Sequence, residues 1–258
     1  QQSAEARGKP FNATIGQITD GHGRAVPLPA MAAVTELNEA ERSRAFLYSP
    51  VEGFPELRRR WRERQRRGVP EGVPSTLPLV TAGRVQALAI AAELFAGEGT
   101  AVALPPEAAA DYTATFTLRT GARRVGLEEL GGPPEGEPTL VVLDREGGAD
   151  PNLLLAQLIL IAVWRPLAVL VDDGCGEPSP SLFWRLVALH PNLFPIKVDA
   201  PEEAEGVGFL TFPFPPDSDL ALAIESKAKT LLRALIGSPP AFAQALLLHA
   251  LEATAAAT

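Results

Sequence analysis

The feature that most constrains this 258-residue chain is its alternation of short apolar runs with segments of helical periodicity. Seven runs are rich in apolar and β-branched residues, which is the pattern of strands covered on both faces. They are Leu77–Thr81, Ala101–Leu104, Arg123–Leu127, Thr139–Leu143, Leu167–Asp172, Leu193–Val198 and Val207–Phe212. Strands that alternate with helices predict an α/β protein whose mostly parallel, seven-stranded sheet carries helices on both faces.

Helical segments lie between or after these runs. Arg84–Ala96 places apolar side chains at the spacing of one helix face. Asp150 and Pro151 suit the N-cap and first position of a helix that ends near Trp164. No repeat or linker divides the chain, so we expect a single domain over residues 1–258 with an N-terminal arm at 1–50. The other predicted helices are Phe54–Arg67, Glu107–Arg119, Ser179–Leu189, Asp217–Leu235 and Pro240–Ala256.

Charge and composition argue against several classes of partner. A formal net charge of −8 gives the chain no electrostatic attraction to nucleic acid. The longest apolar run, Leu153–Trp164, is well short of the roughly 20 residues that a membrane-spanning helix needs. The start of the chain is polar, unlike a secretion signal, and the single cysteine, Cys175, excludes an intrachain disulfide. We therefore expect a cytoplasmic protein that binds neither nucleic acid nor a membrane.

Other reactive residue types occur without the pattern of a site. His22, His190 and His249 are scattered, so they predict no metal site. Cys175 has no histidine partner in the sequence pattern, and we interpret it as a small buried side chain rather than a reactive thiol. A run of arginines could bind an acidic partner, but its single aromatic residue and its glutamate neighbours favour a solvated helix face. The run consists of Arg58, Arg59, Arg60, Arg62, Arg64, Arg66 and Arg67.

Four stretches carry a more specific pattern through their order along the chain. KPFNATIGQITDGHG lies near the N-terminus, and FLYSPVEGFPELRRRW places a Tyr and a Gly before a helix. PLVTAGRVQALAIAAELFAGEGTAVALP has the pattern of a strand, a turn, a helix and a second strand. The last stretch begins with AVLVDDGCG, continues to PNLFPIKVD, and is followed by VGFLTF. In this order they resemble the pyridoxal-phosphate (PLP)-dependent aminotransferases of fold type I, class I/II.

The resemblance implies a cofactor site built from four residues. Asp172 matches the carboxylate that pairs with the pyridine nitrogen of PLP. Gly83 and Arg84 match the phosphate-binding turn, where backbone N–H groups at a helix start cradle an anion. Tyr48 matches the tyrosine that reaches the phosphate of a neighbouring subunit, which implies a homodimer. The alternatives are that Asp172 only caps a turn and that Gly83 only permits a strand-to-helix connection.

The chain departs from the family at the positions that carry its chemistry. The stretch 199–209 lacks the lysine that forms the Schiff base with PLP, and Gly206 stands where a phosphate-binding arginine is expected. Gly148 lies near the position of the asparagine that holds the PLP hydroxyl oxygen. The alanines of 107–111 replace the ring-stacking aromatic residue, and Cys175 replaces a tyrosine. A small C-terminal domain with an arginine for the substrate carboxylate is also expected to be missing.

These departures predict a degenerate aminotransferase-like protein without transaminase activity, with no catalytic residue and no covalently bound cofactor. It would bind a phosphorylated small molecule or act as a regulatory or partner subunit. The alternative is an active PLP-dependent aminotransferase that uses Lys197 as its Schiff-base lysine. We favour the interpretation of Lys197 as a solvent-facing strand residue, and of Lys227 and Lys229 as part of the polar face of a helix.

Overall fold

The computed structural model describes residues 20, 22, 24, 26–105, 110–131, 137–144, 150–175 and 181–256. Its strands are β1 (Leu79–Thr81), β2 (Ala101–Ala103), β3 (Arg123–Val125), β4 (Thr139–Asp144), β5 (Leu167–Cys175), β6 (Leu193–Ala200) and β7 (Gly208–Thr211). Its helices are α1 (Pro29–Ala32), α2 (Glu39–Phe46), α3 (Pro55–Gln65), α4 (Arg84–Phe95), α5 (Ala110–Thr113), α6 (Pro151–Ala162), α7 (Leu182–Val187), α8 (Asp219–Ile236) and α9 (Ala241–Ala256). A π-helical turn, Ala114–Leu118, directly follows α5.

The seven strands form one sheet in the order β1-β7-β6-β5-β4-β2-β3. The strands from β6 to β3 in this order pair in parallel. β7 runs antiparallel to both of its neighbours, β6 and β1. Each strand lies within or overlaps one of the seven apolar runs, so the predicted mostly parallel, seven-stranded sheet is confirmed.

Helices cover both faces of this sheet, which explains why its strands lack a polar face. Successive side chains of a strand point to opposite faces, and both faces are buried along most of the sheet, although Arg123 and Arg124 of the edge strand β3 are exposed. On one face, α4, α8 and the π-helical turn contribute Ile90, Phe116 and Leu232 to a core that contains Leu140 and Leu170 of the sheet. On the other face, α6 and α7 contribute Leu158, Phe183 and Trp184 to a core that contains Val141 and Val169 of the sheet.

The segment predicted as an N-terminal arm contains a helix, α2, that the sequence analysis did not predict. Its first turn is closed by a capping box between Asn38 and Glu41. The Asn38 side chain accepts from the Glu41 N–H at 3.0 Å, and the Glu41 carboxylate accepts from the Asn38 N–H at 2.7 Å. α2 packs against α9, where Nδ1 of His249 lies 2.9 Å from a carboxylate oxygen of Glu41.

The turn between β1 and α4 depends on two glycines. Gly83 has a φ of +82°, a left-handed conformation that a residue with a Cβ adopts only with strain. Gly208 of β7 lies directly beside this turn, and a Cβ there would stand 2.7 Å from the Arg84 nitrogen. β7 therefore approaches the turn more closely than any side chain would allow, and this contact positions the first residue of α4.

Candidate functional site

The candidate site is a buried cluster in which three side chains meet near the carboxyl end of β5. Asp172 extends from β5 and is fully buried, Arg84 is the first residue of α4, and Tyr112 belongs to α5. Arg84 Nε lies 2.8 and 3.0 Å from the two carboxylate oxygens of Asp172, and Arg84 Nη2 lies 2.7 Å from Oδ2. The Tyr112 hydroxyl donates to Oδ2 at 2.6 Å and accepts from Arg84 Nη2 at 2.8 Å.

Electrostatics hold the donors of this cluster in their protonated forms. The hydrogen bond to Asp172 raises the pKa of Arg84 above its ordinary value, although burial acts in the opposite direction. Burial raises the pKa of Tyr112 well above its ordinary value, and the hydrogen bond to Asp172 raises it further. A guanidinium and a neutral phenol therefore both face the carboxylate as donors.

The arrangement does not fit the pyridine ring of PLP. An ionised carboxylate offers about four acceptor positions. Arg84 donates to Asp172 through two nitrogens, Tyr112 donates through its hydroxyl, and the Gly174 N–H donates to Oδ1 at 3.0 Å. Contacts within the described residues thus fill the positions that a protonated ring nitrogen would need, so a ring could reach Asp172 only by displacing Arg84.

The turn that resembles a phosphate site already forms hydrogen bonds with residues next to it in the chain. The Ala82 N–H donates to the Gln86 side chain at 2.6 Å, and the Thr81 hydroxyl donates to the Gly83 carbonyl at 2.9 Å. The Arg84 side chain, which is 33% exposed, turns back to Asp172. The structure thus brings Gly83, Arg84 and Asp172 together, as the resemblance implies, but the positive charge of Arg84 is already neutralised by a carboxylate.

Tyr48, the fourth predicted site residue, lies on the surface with 72% of its area exposed. Its hydroxyl donates to the Gly237 carbonyl, at the end of α8, over 3.3 Å. The neighbouring Phe46 and Leu47 are 82% and 63% exposed, and the ring of Phe46 lies 6.3 Å from that of Phe242. Tyr48 is therefore part of an exposed apolar surface, the Tyr48 surface, that comprises Phe46, Leu47, Tyr48 and Phe242.

The interpretation of Lys197 as a solvent-facing residue is wrong, because its side chain is completely buried. β6 lies inside the sheet, where both faces are covered by helices. The Lys197 ammonium forms an ion pair with Asp173 and another with Asp199, the latter at 3.2 Å. Asp199 also accepts from Trp61 Nε1 at 3.3 Å and from Gln65 Nε2 at 3.1 Å.

Lys197 and Asp172 lie on opposite faces of the sheet. The register pairs Asp172 with Val198 and Val171 with Lys197, so alternation along the strands points the lysine away from the Arg84 cluster. Burial alone would lower the pKa of Lys197, but the carboxylates of Asp199 and Asp173 outweigh that effect and raise it. The amine is therefore protonated at neutral pH and has no lone pair with which to attack an aldehyde.

The arginine run of α3 does not form the solvated face that the sequence predicted. Arg58 is 6% exposed, donates to the Pro78 carbonyl at 2.8 Å and pairs with Glu225 at 3.2 Å. Arg64 pairs with Glu203 at 2.8 Å and lies over the Trp61 ring. These arginines tie α3 to the rest of the fold, whereas Arg59 and Arg60 are exposed as predicted.

The remaining candidates are resolved only in part. Gly148, residues 107–109 and the side chain of Cys175 lie outside what the structure describes. Lys227 and Lys229 lie on the helix α8 as predicted, exposed and half-buried respectively, but residues two positions apart point to different sides of a helix and do not share one polar face. Among the described residues, no group of three histidine, cysteine, aspartate or glutamate side chains could hold a metal, and no helix is long and apolar enough to span a membrane.

Comparison with solved structures finds the same fold in aminotransferases. An aminotransferase from Anaerococcus prevotii superposes with a TM-score of 0.73 at 13% identity, over 96% of this chain and 70% of that one. An aromatic-amino-acid aminotransferase from Burkholderia pseudomallei, covalently bound to pyridoxal phosphate, gives 0.67 at 21% identity over 97% and 70% of the two chains. LysN, an α-aminoadipate aminotransferase from Thermus thermophilus, gives 0.66 at 23% identity over 89% and 61%.

These similarities confirm that the chain has the fold of the PLP-dependent aminotransferases of fold type I, as the sequence resemblance implied. No family model matches the sequence, and no curated protein matches it significantly. At identities of 13 to 23% the likeness concerns the fold alone, and the chemistry of the site depends on this chain's own residues.

Proposed function

We propose that this chain is a non-catalytic protein with an aminotransferase fold, in which an internal guanidinium takes the place of the cofactor ring at Asp172. The observation that carries the proposal is the saturated Asp172 carboxylate, which receives donors from Arg84, Tyr112 and Gly174. A carboxylate engaged in this way has no acceptor position left for a pyridinium. It therefore cannot turn a bound ring into an electron sink.

The placement of the lysines also supports the proposal. The chain contains Lys9, Lys197, Lys227 and Lys229. Lys197 forms ion pairs with two carboxylates on the face of the sheet opposite to Asp172. Lys229 of α8 pairs with Glu52 at 3.2 Å. Covalent PLP chemistry requires an unprotonated amine beside the ring, and the raised pKa of Lys197 opposes that state.

The chain would then act as a binding or partner subunit rather than as a transaminase. We propose a cytoplasmic location, because proteins of that reducing compartment do not depend on disulfides and this chain has a single cysteine. We propose a homodimer of single-domain chains that meet at the Tyr48 surface. Three adjacent large side chains there expose more than half of their area, as apolar residues at a protein interface do when the partner is absent.

A phosphorylated small molecule is a second candidate, as a ligand rather than a substrate. The start of α4 supports it, because a helix N-terminus attracts anions and the space where a Gly83 Cβ would stand is open. Thermal unfolding with PLP, pyridoxal and inorganic phosphate separates the two parts of such a ligand. A rise in Tm with PLP and phosphate but not with pyridoxal would identify a phosphate site.

The lack of covalent cofactor chemistry is tested by adding excess PLP to the purified protein, reducing with borohydride and measuring the intact mass. The proposal predicts no visible imine band after desalting and no stoichiometric increase in mass. Lys197→Ala and the exposed-lysine variant Lys227→Ala serve as matched controls. An adduct that persists in Lys227→Ala and disappears in Lys197→Ala would establish the alternative, an active enzyme that uses Lys197.

A further inference from the structure

A cavity of about 710 Å³ opens at the carboxyl ends of β2, β3 and β4. It is lined by these strand ends, by α6 and by a 3-10 turn, Leu127–Leu130, that follows β3. Its volume lies within the range of about 300–1,000 Å³ that is typical of small-molecule sites. The described residues that line it include neither Arg84, Tyr112 nor Asp172, so the cavity is separate from the Arg84 cluster.

The order of the strands explains why a cavity forms at this place. β2 and β4 are parallel neighbours, but the chain leaves them toward opposite faces of the sheet. After β2 it continues through α5 and the π-helical turn, where Phe116 packs on one face, and after β4 it continues through α6, where Leu158 packs on the other. Connections that diverge in this way leave a crevice between the two strand ends, which is where open α/β sheets bind their ligands.

The described lining combines an apolar floor with a charged rim. Val125 and Leu143 of the sheet are buried, and Leu154 of α6 is half-buried beside them. The charged residues of the lining are more exposed than the two sheet residues, and they are Arg124, Glu128, Glu129 and Asp144. Three carboxylates against one guanidinium give this rim a negative formal charge. Such a lining suits a ligand with an apolar body and a positive group.

Glu128 differs from the other carboxylates because a glycine makes room for it. Gly126 has a φ of −81°, which any residue can adopt, so its backbone conformation does not require glycine. A Cβ at this position would instead stand 2.2 Å from Oε1 of Glu128. The Glu128 carboxylate therefore lies against Gly126 at the cavity, and within the described part of the chain no hydrogen bond or ion pair engages it. The carboxylate of Glu129, by contrast, accepts from the Gly126 N–H at 2.6 Å.

We propose that this cavity binds an organic cation, a small molecule that carries an ammonium group on an apolar body. The ammonium pairs with the Glu128 carboxylate, and the apolar body lies between β4 and α6. The net charge of −8 attracts such a ligand to the chain and repels an anion of the same size. Arg124 does not reverse this preference, because its guanidinium is directed to the Pro105 carbonyl, at 3.5 Å, and the carboxylates of the rim outnumber it.

The proposal is tested with three probes that share an apolar body and differ in charge. Binding of 2-phenylethylamine, 2-phenylethanol and 3-phenylpropionate to the full chain is measured by isothermal titration calorimetry. We expect the amine to bind roughly tenfold more tightly than the alcohol, which is the advantage of a hydrogen bond between charged groups, and the carboxylate to bind more weakly than either. Equal affinity of the three probes, tightest binding of the carboxylate, or no binding of the amine would overturn the proposal.

Two variants test whether Glu128 holds the ammonium. Glu128→Gln removes the charge, and Gly126→Ala displaces the carboxylate while the charge is retained. Each should lower the affinity for the amine roughly tenfold, to that of the alcohol, and leave the affinity for the alcohol unchanged. The matched controls are Glu252→Gln, at an exposed glutamate of α9, and Gly97→Ala, where the space around the new Cβ is open.

Both controls should bind the amine as the wild type does. An amine affinity that persists in Glu128→Gln or in Gly126→Ala, or that falls equally in the controls, would overturn the assignment of Glu128. None of the three probes contains a phosphate or an aldehyde, and the variants leave Arg84 and Asp172 unchanged. The result is therefore independent of the test of the proposed function.

Discussion

Asp172 and Asp173 are adjacent in sequence and each is neutralised by a cation, yet the two aspartates belong to different environments. Asp172 meets Arg84 in a one-to-one pair at the end of the sheet, and the arginine remains 33% exposed. Asp173 shares Lys197 with Asp199, so two carboxylates surround one ammonium that is completely buried. The lysine is therefore shut off from solvent, whereas the arginine remains partly exposed beside its carboxylate. In the function proposed above, the lysine stabilises the fold and the arginine excludes a ligand.

The largest effect that this comparison predicts is on the stability of a Lys197→Met variant. Removing the ammonium leaves the carboxylates of Asp173 and Asp199 buried without their cation, and breaking a buried pair in this way costs about 3–5 kcal/mol. Urea unfolding measures the loss. Lys227→Met at an exposed helix position should change the free energy of unfolding by less than about 0.5 kcal/mol. A loss below about 1 kcal/mol in Lys197→Met would mean that the lysine does not have this structural role.

A smaller loss of stability, with a gain in binding, is predicted for Arg84→Ala. Tyr112 and Gly174 still donate to Asp172, and water can replace part of the guanidinium, so we expect a loss of about 1–2 kcal/mol. The freed carboxylate should bind the PLP ring more tightly than the wild type does, as measured by titration. Arg59→Ala, at an exposed arginine of α3, should change neither quantity. Equal PLP affinity in Arg84→Ala and wild type would show that Arg84 does not exclude the ring.

The turn that presents Arg84 can be disturbed from the neighbouring strand β7. In Gly208→Ala the new Cβ would lie 2.7 Å from the Arg84 nitrogen, so β7 and the turn must separate at a cost of about 1–3 kcal/mol. Gly97→Ala has open space around its Cβ and should be nearly neutral. Thermal unfolding of both variants checks the difference. A neutral Gly208→Ala would show that the close approach of β7 is not needed.

The smallest effect concerns a partly exposed pair, His249 with Glu41, which provides a contrast to the two buried clusters. The hydrogen bond to Glu41 raises the pKa of His249 above 6.5, and the same hydrogen bond lowers the pKa of Glu41 below 4.5. The contribution of His249 to the free energy of unfolding is therefore complete below pH 6.5. It is lost as the pH rises through the pKa that the histidine has in the folded protein. The glutamate's contribution is lost as the pH falls through its own folded pKa.

We expect His249→Gln to cost about 0.5 kcal/mol at pH 5.5 and close to nothing at pH 9. Urea unfolding at the two pH values measures this difference. A cost for His249→Gln that grows between pH 5.5 and pH 9 would contradict the assigned protonation.

The sheet could be predicted from the sequence because each strand coincides with its own short run of apolar residues. The run Leu167–Asp172 is apolar at every position but its last, and its short length and β-branched residues are typical of a strand covered on both faces. Helix α2 was missed although Asn38 and Glu41 stand at the spacing of a capping box.

The site could be predicted only in part, because its contacts join distant segments. The resemblance selected Asp172 and Arg84 separately, but nothing local indicates that the two bind each other across 88 positions. The burial of Lys197 likewise depends on Trp61 and Gln65 of α3, which cover its cluster from more than 130 residues away. The sequence pattern predicts that Lys197 lies in a strand, but it does not show which residues pack over the lysine.

A crystal structure of the chain grown with excess PLP tests the central claim most directly. The account predicts that Arg84 Nε remains about 3 Å from both carboxylate oxygens of Asp172, with the Tyr112 hydroxyl on Oδ2 and no ring density beside them. Arg84 turned away, with the pyridine nitrogen of PLP on Asp172, would contradict it. Density that joins the cofactor to the amine of any lysine would contradict it further, because the chain would then hold its cofactor covalently.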